Sequence, residues 1–270
     1  MNSSWDKLSI VIKYEFLKHI RRRRLYIIMG IALLAEALGL ILVPTLLTGG
    51  YPDNVKVMAY VLSIGPGLAA IGAVFFAGDA IAGEFEGKTG FLLFVNPIKR
   101  DVLWVGKYLA GLLAVALLIL FNYIVIAVAL AIIYHTVPIG IFGSAGLCLL
   151  YASAVLSLTF LFSSLSKGAM GATVMTLLFI WVVSNIVESI LALTNNPYWF
   201  MISSGSDSIN LPYGTVKELM SGLGIGGGAF GGNFNNLGPL TITMAIWGML
   251  IYLIGGFVAS ILISRKRQLS

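Results

Sequence analysis

Six runs of apolar residues, each long enough to cross a bilayer, constrain what this chain can fold into. They cover about residues 25–47, 57–82, 106–134, 139–165, 168–193 and 240–264. A helix needs ~20 residues to cross the hydrocarbon core of a membrane. Backbone groups in lipid must be satisfied within their own segment, so each run is expected to be a helix. An outer-membrane barrel would instead show ~10-residue segments of alternating polarity, and these are absent. Composition agrees, with 59% hydrophobic and 10% charged residues, against ~25% charged in a soluble domain. The expected fold is all-α and polytopic, one transmembrane domain over residues 1–270. The first run is too long for the apolar core of a cleavable signal peptide, and more runs follow it. Cys148, the single cysteine, falls in the fourth run. Intrachain disulfides and cysteine-built metal sites are therefore not expected.

Charge fixes the expected orientation. Of the 17 basic residues, only Lys56 and Lys217 fall on one side of the six runs. The other side carries Lys7, Lys13, Lys18, the arginines 21–24, Lys88, Lys99, Arg100, Lys107, Lys167, Arg265, Lys266 and Arg267. By the positive-inside rule both termini are expected in the cytoplasm of a multi-pass cell-membrane protein. The net charge of +6 is thus a topology signal, and nucleic acid is not an expected partner.

Three stretches between or before the runs have their own character. Over residues 1–24, Trp5, Leu8, Ile12, Phe16 and Ile20 recur every three or four positions. That pattern predicts an amphipathic helix in the cytoplasmic interface, with its cations near lipid headgroups. In the second run, Gly65-Pro66-Gly67 is expected to kink or break the helix and is a candidate hinge. Gly72 and Gly78 would let neighbouring helices approach closely. The external segment 194–239 holds an aromatic stretch at 197–202, a short helical turn expected at 215–223 and a glycine-rich stretch at 222–232. Part of it is expected to dip back into the membrane before the last span.

Few residues suggest chemistry inside the membrane. Glu36 falls about halfway along the first run, where an ionised group is costly and usually faces a partner or a cavity. Asn122 in the third run lies at similar depth and is a candidate hydrogen-bond partner. The pair reads either as a polar element of a substrate or proton path, or as a contact between helices or subunits that a protonated Glu36 could make. Asp79 and Glu188 fall near the ends of their runs, where solvent or headgroups are expected to stabilise them. Gly87-Lys88-Thr89 lacks the earlier glycine of a phosphate-binding loop, since that position is Ala82. It also leaves a membrane helix rather than a strand, so no nucleotide site is expected here. Neither H-E-x-x-H nor G-x-S-x-G is present. His19 and His135 fall on opposite sides of the membrane, which argues against an enzyme built on both.

The longest charged interruption on the basic side, residues 79–107, reads DAIAGEFEGKTGFLLFVNPIKRDVLWVGK. Asp79, Glu84 and Glu86 are expected to leave the membrane as one acidic cluster close to Lys88. Residues 91–95 are apolar but too short to span, and Asn96-Pro97 marks a turn. An apolar patch rimmed by charge is suited to a groove on a partner or to the face of the bundle. The segment resembles the type-2 ABC transporter permeases, also termed ABC-2 type. The resemblance rests on Asp79, Glu84, Gly87, Thr89, Leu92, Leu93, Pro97, Arg100, Gly106 and Lys107, while Gly90 and Lys99 depart from the family pattern.

That resemblance implies a membrane subunit with no nucleotide site and no cofactor of its own. Two ATP-binding subunits would carry ATP and Mg and dock over residues 84–100. Glu84, Glu86, Gly87, Thr89, Phe91, Leu92, Leu93, Pro97 and Arg100 would form the coupling element, passing closure to the first, second and fifth spans. A second permease copy or a related chain would complete the transmembrane unit, surrounded by membrane lipids. The implied task is export of a lipid, hydrophobic or amphipathic compound. Two alternatives are an ion- or proton-coupled carrier centred on Glu36 and a non-transporting membrane scaffold or sensor.

Overall fold

The computed structural model describes residues 4–46, 50–87, 100–194, 196–215 and 241–266. Among these residues there is no strand, and six helical segments are long and apolar enough to cross a membrane. Helix α1 (Ser4–Arg21) precedes the first span, α2 (Arg23–Leu46). The second span consists of α3 (Val55–Leu62) and α4 (Gly65–Ala77), and a turn then leads to the short α5 (Ala82–Glu86). The third and fourth spans are single helices, α6 (Arg100–Tyr134) and α7 (Gly140–Leu165). The fifth is α8 (Ala169–Leu178) and α9 (Ser184–Leu193), joined by a π-helical turn at Phe179–Val183. A short α10 (Ile202–Ser208) and a 3₁₀ turn (Leu211–Tyr213) precede the sixth span, α11 (Ile242–Lys266). The fold is all-α and polytopic, with spans close to those expected.

The second and fourth spans lie at the centre, while the first, fifth and sixth leave most of their surface outside the bundle. Small residues make that centre. Ala69, Ala70, Ala73 and Ala77 of α4 are buried. A Cβ on Gly72 would come within 2.9 Å of Leu118 on the third span. Gly78 likewise faces Thr173 of the fifth span, and a Cβ on Gly256 of the sixth would fall 3.2 Å from the backbone of Ser157. With no hydrophobic drive between helices in lipid, such close backbone approach is what holds spans together. The first span accordingly buries one stripe, Leu25, Ile28, Ala32, Glu36 and Val43.

Proline and glycine act where the sequence places them. Helix α3 stops at Leu62, Ser63 and Ile64 are non-helical, and α4 restarts at Gly65 with Pro66 in its first turn. A proline there removes no intrahelical bond, so the break falls just ahead of the Gly-Pro-Gly triplet. The basic end of the span is closed by a side chain from elsewhere. Ser163 Oγ of α7 accepts from Ile81 N (3.2 Å) and Ala82 N (2.9 Å) and donates to Gly78 O (3.0 Å). The π turn of the fifth span has no forewarning in the continuous apolar run. Its carbonyls at Ile180 and Trp181 accept from Asn185 Nδ2, at 3.2 and 3.0 Å.

Helix α1 forms over the expected residues, and the structure shows which face it turns to the bundle. It packs on the start of the third span through Leu8, Val11 and Glu15, and on Phe76 of the second through His19. Leu8, Ile12, Phe16 and Ile20 are half-buried at its flank, and Trp5 is 78% exposed. On the opposite side, residues 196–213 fold back between the fourth and sixth spans. Gly205 lies against Met249 and Tyr151, Gly248 against the Trp199 carbonyl, and Gly140 and Gly143 against Pro212. This is the re-entrant element expected before the last span. The expected turn at 215–223 and the glycine-rich stretch at 222–232 lie outside the described residues, apart from Thr215.

Candidate functional site: a charged girdle at the base of the loop

The two stems of the segment 79–107 are gripped by ion pairs at the basic end of the bundle. Lys107 lies two turns into the third span and is only 3% exposed. Its Nζ sits 2.5 Å from Glu84 Oε1 and 3.1 Å from Glu15 Oε1. One buried ammonium therefore joins α1, the outgoing stem at α5 and the third span. Lys18 adds a second cation to Glu15 at 3.2 Å. Burial by itself would raise the Glu15 carboxyl, but Lys107 and Lys18 outweigh it and hold it below the usual range. Removing one partner of such a buried pair costs ~3–5 kcal/mol, because the other charge is left without compensation.

Asp79 and Glu86 are claimed by different helices. Asp79 accepts from Arg22, at the junction of α1 and the first span, with Arg24 3.9 Å away. Glu86 Oε2 accepts from the backbone N of Ala169 (2.8 Å), the first residue of the fifth span. A carboxylate there satisfies an orphan N–H and meets the positive end of the helix dipole. Gly168 leaves room for it, since a Cβ would come within 3.3 Å of the same oxygen. Asp101, on the incoming stem, takes a bidentate pair from Arg265 of the sixth span at 2.8 and 2.6 Å. That last pair is exposed, so solvent screens it and it adds little to stability.

The expectation was one acidic cluster near Lys88, which itself lies outside the described residues; the structure gives the three carboxylates separate partners. The three carboxylates diverge, to Arg22, Lys107 and Ala169 N, because each meets an orphan donor or cation before it could share one. Asp79 is stabilised by Arg22 rather than by headgroups. Glu188 is half-buried, and its Oε2 has no hydrogen-bond partner among the described residues. Gly87 ends the outgoing stem, and the backbone of Arg100 opens the third span. Thr89, Phe91, Leu92, Leu93 and Pro97 lie outside the described residues.

Glu15, His19 and Arg22 are girdle residues that the sequence reading did not single out. The available signal was their spacing, which puts Val11, Glu15 and His19 on one face of α1 at intervals of four. His19 is 5% exposed, edge-on to Phe76 at 5.2 Å between ring centroids. Burial pushes its imidazole down to about 4, against the pull of Asp79 and Glu15, so it is neutral at pH 7. Among the described residues no group of three His, Cys, Asp or Glu side chains could hold a metal ion. The girdle is built to bear load.

The family model described as ABC-2 family transporter protein matches residues 11–185. The chain belongs to the ABC-2 transporter family. No curated protein matches it. The matched region begins at Val11 on the buried face of α1 and takes in Glu15, Arg22, Asp79, Glu84, Glu86, Lys107 and Ala169. This ABC-2 permease is thus a multi-pass membrane component of an ABC transporter. Two further features of the permease lie within the spans. Asn122 donates from Nδ2 to Glu36 Oε1, joining the first and third spans. Glu36 is 3% exposed and Asn122 fully buried, so the contact is between helices of one chain. Pro66, at the break in the second span, lines a cleft of about 70 Å³ with Tyr151, Ile180, Trp181, Asn185 and Ser203. Break, π turn and re-entrant helix meet at that cleft.

Proposed function

We propose that this permease is the membrane half of an ATP-driven exporter, carrying a lipid, hydrophobic or amphipathic compound outward. Both termini and the basic girdle face the cytoplasm in this reading, following the positive-inside rule. Two ATP-binding subunits, holding ATP and Mg, dock on residues 84–100, and a second permease copy or a related chain completes the pathway. One observation carries the reading. The loop is clamped across its base by Glu84 and Lys107, and its stems are fastened to α1 and to the first, third and fifth spans. A push on residues 88–99 therefore reaches several spans at once through short polar contacts. The resemblance implied the first, second and fifth spans as receivers. The girdle supports the first and fifth, and it adds the third.

Affinity capture tests this directly. The tagged chain, extracted from its native membrane, should bring down a soluble ATPase, and Phe91→Asp or Leu93→Asp should release that ATPase while the permease remains folded. Wild-type chain that captures no ATPase would overturn the docking reading. So would full capture by both variants.

A further inference from the structure

The Glu36–Asn122 contact is incomplete as it stands. Asn122 Nδ2 donates to Glu36 Oε1, yet Glu36 Oε2 and Asn122 Oδ1 are both buried with no hydrogen-bond partner among the described residues. Both are acceptors, and both belong to planar groups that the first bond already joins. Their neighbours on the buried stripe of the first span, Ala32 and Val43, offer no donor. The charged side chains of α1 and the loop stems gather near Arg22, about four helical turns from Glu36. An ionised carboxylate here would be buried in the membrane interior with one hydrogen bond and no cation among the described residues, an arrangement that intramembrane carboxylates avoid. A single proton on Oε2 removes both defects. It neutralises the acid and supplies the donor that Asn122 Oδ1 lacks.

We propose that Glu36 is held as the neutral acid, donating from Oε2 to Asn122 Oδ1. The first and third spans are then joined by a two-bond acid–amide clasp that stores one proton inside the membrane. The same two spans are tied at the basic end through α1, by way of Arg22–Asp79 and Glu15–Lys107. Clasp and girdle together make α1, the first span and the third span one mechanical body. The clasp does not depend on which partner docks on the loop.

Infrared difference spectroscopy on the purified full chain in lipid vesicles at neutral pH tests the clasp. Wild type minus Glu36→Gln should contain the C=O stretch of a protonated carboxyl, which shifts on exchange into D₂O. In Asn122→Ala that band should move to higher frequency as its hydrogen bonds are lost. Glu36→Gln should retain wild-type thermal stability, because its carboxamide N–H replaces the acid proton toward Asn122 Oδ1. A difference spectrum showing only ionised carboxylate bands overturns the proposal, as does an unmoved band in Asn122→Ala. Should the variants not fold, wild-type protein with ¹³C-labelled glutamate carboxyls decides alone. Absence of any labelled protonated-carboxyl band would then sink the clasp.

Discussion

Lys107 gathers more of the girdle than any other side chain. It is buried in the bundle, and its charge is tolerated because Glu84 and Glu15 both reach it. Lys107→Met should destabilise the chain by ~3–5 kcal/mol, since the buried Glu84 would lose this cation and Glu15 would keep only Lys18. Thermal unfolding of the purified protein measures this, and a change near zero would show that the pairs carry no load. Glu86→Ala should cost less, about 1 kcal/mol, as loss of a helix cap does. His19 gives a pH signature of its own. The unfolded chain binds a proton at its ordinary value of 6.5, whereas the folded chain resists it down to about 4. Between those values the unfolded state holds more protons, so stability rises with pH and is lost as pH falls from 6.5 toward 4. The loss is on the order of 3 kcal/mol at most. Asp79, Glu15, Arg22 and Lys18 face the ring and set that window. His19→Phe should flatten the dependence of melting temperature on pH between 7 and 5 if the ring is its source, and an unchanged slope would reject that assignment.

At the scale of elements, α1 is fixed by a single close approach. Val11 Cγ1 lies where a Cβ on Gly106 would fall, only 2.5 Å away. Gly106→Val should therefore lift α1 from the third span and separate Glu15 from Lys107. Trypsin accessibility at the arginines 21–24 reports this, with faster cleavage expected in the variant. Equal cleavage rates would mean that α1 rests mainly on lipid. The amphipathic stripe of α1 was legible in the sequence, but its footing was not. The helix settled on Val11, Glu15 and His19, with Leu8 beside Val11, because Lys107 needed a buried counter-charge and Gly106 allowed contact there. The half-buried stripe is left at the flank, where an interfacial helix presents apolar surface to lipid. The second span behaved as its residues dictate, with the break immediately ahead of Pro66. The π turn of the fifth span follows no local rule visible in the run 168–193, and Asn185 is identified as its partner only after folding.

The whole molecule is a buried pair of spans wrapped by four more exposed ones, with a charged girdle at one end and a re-entrant segment at the other. The excess of basic residues on the girdle side predicts that a fluorescent reporter fused to the C-terminus will be active in the cytoplasm. An alkaline phosphatase fusion at the same point should be inactive, and the reverse pattern would invert the topology. The proton-coupled alternative centred on Glu36 placed that residue in a path. The proposed clasp instead uses its place on the buried stripe of the first span, beside Asn122, to join two spans.

The sequence alone determined the six spans, the basic side, the amphipathic helix, the break near Pro66 and the family to which the loop points. All of these depend on the order of residues along the chain, through apolar length, charge counting and proline chemistry. The tertiary structure alone decided that Asp79, Glu84 and Glu86 part company, that Lys107 is buried between two carboxylates, and that Glu36 meets Asn122 within one chain. The reason is physical. In lipid nearly every face of a span is apolar, so hydropathy does not say which face turns inward. That choice falls to small residues and to a few polar groups that must find one another.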